Sequence, residues 1–236
     1  MGSIINAVAI ILGGALGLLL SNRLSEQLRH TIMSMLGLFT LAYGISLFLQ
    51  TQNVMVVLAS LLIGVLLGEW WRIEEGVESL GEFFERHFNK VGNTESARFI
   101  SGFMTTSLLF VIGPMAIFGS IQDGLTGDVR TLVIKAVLDG FAAMAFASSL
   151  GLGVLFSSIP VLVYQGAITL LARQVQTFMS DAMMTEMLAT GGVLLLAISV
   201  SSLLELRKIR VGSFLPALFL APMLVALLAA LNINLK

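Results

Sequence analysis

Lys135 and Asp139 stand four residues apart inside a run, 131–156, that is otherwise almost wholly apolar. On a helix that spacing puts both side chains on one face, where an ammonium and a carboxylate can meet. With the helix starting near Thr131, Asp139 lies about 12 Å along the axis at 1.5 Å per residue, close to mid-bilayer. An isolated charge at that depth costs about 3 kcal/mol or more. Lys135 lies one turn nearer the outside and can snorkel or pair with it. Two readings follow: a pair that neutralises itself for structure, or a carboxylate that holds a solute, an ion or a proton. Ionisable residues at membrane depth favour the second.

Other candidates surround this pair. Ser148 and Ser149 lie further along the same run, and Tyr164 and Gln165 lie in the next. Each can line a polar path or serve as an interhelical hydrogen bond. Pro114 and Pro222 each free a carbonyl and bend a helix, which marks either a kink or the edge of a substrate site. Asp123 and Asp128 flank GLTG in the connection that follows, which reads as a plain turn or as an outer vestibule that attracts cations. The pairs Gly13/Gly17 and Gly64/Gly68 have the spacing that lets membrane helices approach closely, within one chain or between chains. His30 and His87 fall in connecting segments. No metal-ligand pattern, nucleophile elbow or phosphate loop accompanies any of these, so no enzyme and no cofactor is expected.

The elements that must position these residues are membrane helices. The chain has 236 residues, of which 57% are hydrophobic and 11% charged, with a net charge of −1 and no cysteine. Apolar runs recur from end to end, which excludes a soluble domain, and the charge argues against nucleic acid as a partner. The runs are apolar all round instead of alternating, so an all-α polytopic bundle is expected and a barrel is not. A crossing needs roughly 20 apolar residues, and eight runs qualify: 4–20, 31–49, 54–71, 97–119, 131–156, 159–173, 187–204 and 213–231. The fifth is long enough to tilt or to break at Gly151 and Gly153. No basic residue precedes the first, which reads as a retained span.

Basic residues set the orientation. Arg23 and Arg29 follow run one; Arg72, Arg86, Lys90 and Arg98 follow run three; Arg207, Lys208 and Arg210 follow run seven. The even connections hold only Arg130 and Arg173. Odd connections therefore face the cytoplasm, with both termini outside. Segment 72–96 repeats apolar residues at Val77, Leu80, Phe84, Phe88 and Val91 among Glu74, Glu75, Glu78, Glu82 and Glu85, an amphipathic helix. It separates three spans in 1–71 from five in 97–236, and it is either a connector packed on the bundle or a partner-binding helix.

Three motif pairs recur in the same order: INAV and IKAV, GEWWRI and LELRKI, VIGPM and FLAPM. They predict two parallel four-helix halves, about 1–119 and 131–231, joined by the cytoplasmic helix.

The run GPMAIFGSIQDGLTGD, followed by KAVLDGFAAMAFASSLGLGV and YQG, resembles the YqgA/YdfK-like family of uncharacterised bacterial inner-membrane proteins, as does the GSIIN start. The resemblance spans essentially the whole chain and is most specific over 113–166. It implies a polytopic protein of the bacterial cytoplasmic membrane, of a kind described only as a transport protein, and brings no substrate or catalytic residue. DGFA at 139–142 also echoes a helix of small manganese exporters, a four-residue match that keeps cations among the solutes considered. The expectation is a secondary transporter or channel whose partners are the lipid bilayer and a small solute or ion, with a homo-oligomer allowed. The competing expectation is a non-transporting scaffold or sensor acting through the cytoplasmic helix.

Overall fold

The computed structural model describes residues 1–21, 25–88 and 93–231. Arg23, Lys90 and Val91, and the side chains of Leu80, Phe84, Arg86, His87, Phe88, Arg29 and Pro114, lie outside the described residues. Every regular element among the described residues is helical: α1 (Gly2–Ser21), α2 (Glu26–Phe48), α3 (Val54–Trp70), α4 (Ile73–Phe88), α5 (Asn93–Ile112), α6 (Pro114–Thr126), α7 (Arg130–Leu150), α8 (Gly153–Phe156), α9 (Ser158–Leu170), α10 (Ala172–Phe178), α11 (Asp181–Ile198) and α12 (Leu215–Ala230), with a π turn over Ser199–Leu203 and a 3-10 turn over Val211–Phe214. Six helical stretches are long and apolar enough to cross a membrane. The number rises to eight if each of two bent pairs is one crossing: α3 with the start of α4, bent by 59°, and α5 with α6, bent by 60°. The chain is a multi-pass helical membrane protein.

The second bend departs from the single span expected at 97–119. Gly113 is extended (φ −69°, ψ 146°) and Pro114 opens α6. Proline has no N–H to give and disfavours helical backbone before it, so the helix stops and restarts there. α6 then runs through Asp123 to Thr126, and the turn expected around GLTG is confined to Gly127–Val129, where Gly127 closes the helix at φ 72°. Pro222, by contrast, lies inside α12, which continues through it. The fifth run breaks as its glycines allow: α7 stops at Leu150, with Gly151 at φ 83°. The amphipathic segment is shorter than 72–96, because α5 already begins at Asn93.

The chain forms two compact units, and each draws on early and late sequence. Unit 1 comprises Met1–Met35 and Glu78–Gln176; unit 2 comprises Leu36–Val77 and Thr177–Lys236.

In unit 1, α1 lies along α7 over its whole length. A Cβ on Gly13 would sit 2.0 Å from the Gly140 carbonyl oxygen, and one on Gly17 would sit 2.2 Å from that of Met144. Near the other end, Gly2 abuts Leu132. Positions rise together on both helices, so the two run parallel. α5 runs antiparallel to α7: Arg98 reaches Ser149 while Phe110 reaches Lys135. The Arg98 guanidinium donates to the Ser149 carbonyl (2.8 and 2.5 Å), satisfying a carbonyl in the last turn of α7 with a favourable charge.

In unit 2, Gly64 and Gly68 of α3 meet Ala217 and Ser213, so α3 and α12 are antiparallel. Gly44 of α2 meets Gly192 of α11, and the Ser199 hydroxyl donates to the Gly37 carbonyl (2.6 Å), an antiparallel pair again. Arg210 bridges Glu69 (2.6 Å) and Glu75 (2.7 Å), while the Gly212 N–H donates to Glu74 (2.5 Å). These bonds tie the α3–α4 corner, where Arg72 sits at φ 54°, to the turn before α12.

Candidate functional site

α7 is two-faced. Leu132, Lys135, Ala136, Asp139, Ala143, Phe146 and Ala147 are buried, at the three- and four-residue spacing of one helix face. Val133, Ile134, Val137, Leu138 and Phe141 are exposed and form the face suited to lipid. Both charges therefore point into unit 1. The Lys135 and Asp139 side chains are only 6% and 10% exposed.

The Lys135 ammonium donates to Asp139 Oδ2 at 2.5 Å. The same oxygen accepts the Asn6 Nδ2 of α1 at 2.9 Å. Asn6 Nδ2 also donates to Gln165 Oε1 of α9, at 3.3 Å. Phe110 of α5 sets its ring 5.9 Å from the ammonium, a cation–π contact, and rests edge-on against Phe146. The acceptor-only carboxylate fixes which way both amides point: Asn6 must turn its nitrogen to Asp139, and Gln165 must turn its oxygen to Asn6. That leaves Asn6 Oδ1 and Gln165 Nε2 buried with no hydrogen-bond partner among the described residues. Asp139 Oδ1 takes neither of the two bonds made to Oδ2.

The parallel glycine contact between α1 and α7 brings Asn6 to Asp139, 133 positions away in sequence. The sequence reading did not single out Asn6, although it is the only amide side chain in the first apolar run and stands within INAV. Lys135, Asp139 and Gln165 do converge. The others do not join them through any hydrogen bond among the described residues. The Ser148 hydroxyl donates to the Ala145 carbonyl (2.7 Å) of its own helix. Ser149 offers its carbonyl to Arg98, and its hydroxyl is buried without a described partner. Tyr164 is half-buried. Pro114 shapes the backbone at the start of α6.

Asp123 and Asp128 have separate local tasks. Asp123 Oδ2 accepts the Met1 amino group (3.0 Å) and the Gly2 N–H (2.9 Å), so it caps α1 and holds the helix that carries Asn6. Asp128 accepts both the side chain and the backbone N–H of Arg130. The Arg130 guanidinium, reinforced by that N–H, holds the Asp128 carboxyl below its usual range. Its contribution to the turn is present above the ordinary carboxylate range and is lost as pH falls through the lowered value. No cluster of three or more metal-ligating side chains occurs among the described residues.

Unit 2 contains a buried carboxylate that is not among the sequence-based candidates, because it lies one residue before the seventh apolar run. Glu186 is 2% exposed. It accepts the Thr51 hydroxyl (2.6 Å) and the N–H groups of Gln52 (2.7 Å) and Asn53 (3.0 Å), closing the start of α3. Glu186→Leu takes the acceptor from three part-buried donors, of which the Asn53 N–H keeps the Thr51 hydroxyl oxygen (3.2 Å), and is expected to destabilise by about 1–3 kcal/mol. Glu186→Gln keeps one acceptor oxygen and should cost less. Thermal unfolding of the purified variants in detergent measures both. Equal midpoints for Glu186→Leu and the parent would overturn the role.

Apolar helices long enough to cross a membrane, with a buried charge pair inside unit 1, define a polytopic membrane protein. Residues 1–226 match the family described as protein of unknown function (DUF554), and the chain belongs to that family. It is 38% identical over 224 residues to the uncharacterized protein YqgA of Escherichia coli (strain K12), covering 94% of each chain. It is 28% identical over 238 residues to the uncharacterized membrane protein YdfK of Bacillus subtilis (strain 168), covering 99% of each. No solved structure matches it.

Proposed function

We propose that the chain is a secondary transporter or channel that moves a small solute or ion across the bacterial cytoplasmic membrane, with Asp139, Lys135, Asn6 and Gln165 as its binding site. One observation carries this reading. Three helices of unit 1 converge on a buried ion pair and still leave an acceptor, Asn6 Oδ1, and a donor, Gln165 Nε2, buried in the same cluster without a partner among the described residues. A pair kept only for structure gains nothing from orphaned groups beside it, each costing about 1–3 kcal/mol. A solute site keeps such groups for its ligand. The test is a flux screen on purified protein in liposomes. A solute that crosses faster with the parent protein than in protein-free vesicles, and slows with Asp139→Asn, supports the proposal. No accelerated solute, or equal rates in the variant, refutes it.

Helix directions support eight crossings. The parallel α1–α7 pair requires an odd number of crossings between them, so both bent pairs cross or neither does. α3 packs along α12, and α5 along α7, both of which are spans. A helix alongside a span crosses with it, so both bent pairs cross. The basic connections then face the cytoplasm, with both termini outside. Reporter fusions after Asn89, Asp128 and Lys236 should read inside, outside and outside. A cytoplasmic C-terminus would contradict this topology.

A further inference from the structure

We infer that the layer of unit 1 around Asp139 takes an uncharged solute carrying several hydroxyl groups, a small polyol. This rests on the reading of the cluster as the solute site and gives that site a ligand class. The placement of unpartnered groups is the first argument. Besides Asn6 Oδ1 and Gln165 Nε2, the hydroxyls of Ser107 on α5 and Ser120 on α6 are buried with no partner among the described residues. Helix register puts all four at one depth. α5 runs antiparallel to α7 with Phe110 at Lys135. Ser107 is one turn back along α5 and Asp139 one turn on along α7, so the two are level. Ser3 of α1 meets Thr169 of α9 (3.4 Å), and Asn6 meets Gln165, so α9 runs opposite to α1. α6 packs along α9 with Gly124 against Thr169. The short turn after α6 reverses the chain into α7, so α6, like α9, runs opposite to α7. One turn back from the Gly124–Thr169 contact stand Ser120 and Gln165. Four helices thus bring an unpartnered polar group to the level of Asp139 on the fifth. A ligand that bonds them offsets the cost of burying them bare.

Charge and hydrogen-bonding capacity then select the ligand. Lys135 and Asp139 cancel each other, and the four unpartnered groups are neutral. α1, α8 and α9 carry no charged side chain. The charged residues of α5 stand at its opposite end, where Arg98 bonds Ser149, and Asp123 of α6 is engaged at the start of α1. A cation or an anion in this layer would be buried without a counter-charge, which is strongly disfavoured. An uncharged ligand meets no such cost. Asn6 Oδ1 only accepts, Gln165 Nε2 only donates, and the two serine hydroxyls do either. The ligand must therefore donate at one point and accept at another. A hydroxyl does both on a single atom, whereas an ammonium only donates and a carboxylate only accepts. Several hydroxyls on one short carbon chain match several groups on different helices. One of them can also donate to Asp139 Oδ1, which the ion pair does not use.

The test uses radiolabelled glycerol, erythritol and xylitol on the full-length protein. Scintillation proximity in detergent measures binding, and uptake into liposomes measures passage. Sodium and potassium chlorides supply the charged comparison. Osmotic shrinkage in polyethylene glycol measures water. The expected result is that at least one polyol binds and enters faster than into protein-free vesicles, while neither cation does. Ser120→Ala and Ser107→Ala each remove a group that has no described partner in the protein. Each should weaken polyol binding about three- to tenfold, with an unfolding midpoint equal to the parent's or higher. A serine kept for structure would show the opposite, a lower midpoint and unchanged binding. No binding of any of the three polyols overturns the inference. So does faster water passage without polyol binding, which would make the layer a water site only, or parental binding in both serine variants. Binding to the parent protein decides the ligand class even if a variant fails to fold. A parent that binds a polyol yet moves none keeps this site and removes the transport proposal. One that moves sodium or potassium through Asp139 without binding any polyol does the reverse.

Discussion

Asp139→Asn is expected to abolish or cripple transport while the protein still reaches the membrane. Asparagine preserves the side chain's size and one acceptor oxygen, so the Asn6 contact can persist in modified form. What disappears is the charge. A charge-assisted hydrogen bond contributes about 1.5–3 kcal/mol, so a ligand that depends on it should bind about 10- to 100-fold more weakly. The variant also strands the Lys135 ammonium, which is 6% exposed. Stripping one partner from a buried pair costs about 3–5 kcal/mol. Lys135→Met strands the carboxylate and should lower abundance comparably. The double variant Lys135→Met/Asp139→Leu removes both charges. Apolar pairs of similar size replace buried ion pairs at little cost or with a gain, so it should fold at least as well as the parent. It should carry no solute. Membrane abundance and flux, measured side by side on all three, separate structure from function. A double variant that transports like its parent would reduce the pair to a structural device and remove Asp139 from the site.

Gly13→Leu is expected to damage the protein nearly as severely, through geometry alone. Any Cβ at this position falls 2.0 Å from the Gly140 carbonyl oxygen. The obstacle is backbone, which has no alternative rotamer to adopt. α1 must move away from α7, and the contact of Gly17 with the Met144 carbonyl, at 2.2 Å for a Cβ, goes with it. Such close approach is where membrane helices gain packing and weak Cα–H···O contacts. Overpacking a tight site costs about 1–3 kcal/mol, and more where the obstacle cannot shift. The displacement also withdraws Asn6 from Asp139, so a substitution two turns from the site should disturb the site. Gly166→Ala is the contrasting case: nothing lies within 4 Å of its Cβ position. It should be neutral, or stabilising by up to about 1 kcal/mol through reduced freedom of the unfolded chain. Thermal unfolding midpoints of the two variants in detergent should separate clearly. A Gly13→Leu protein as stable as the parent would show that the α1–α7 contact is not needed.

The sequence alone determined the class of this protein, the position of its long apolar helices and the shared face of Lys135 and Asp139 on α7. Lipid cannot satisfy a backbone, so each crossing must be a long apolar helix, and that demand is written locally in consecutive residues. The acidic amphipathic helix at Ile73 and the break at Gly151 were legible for the same reason: period and glycine placement act over a few residues. Lys135 and Asp139 announced themselves because a charge in an apolar run is conspicuous. The glycine pairs were visible too, but whether they join helices of one chain or of two was not. Asn6 looked like any tolerated polar residue until α1 lay beside α7. Asp123 read as part of a turn, and its carboxylate holds the start of α1, 121 positions away. Glu186 read as the edge of a span, and it closes the start of α3, 133 residues upstream. Those assignments belong to the tertiary structure, because a hydrogen bond between distant residues leaves no periodic trace in either segment and forms only once packing has chosen which helices meet.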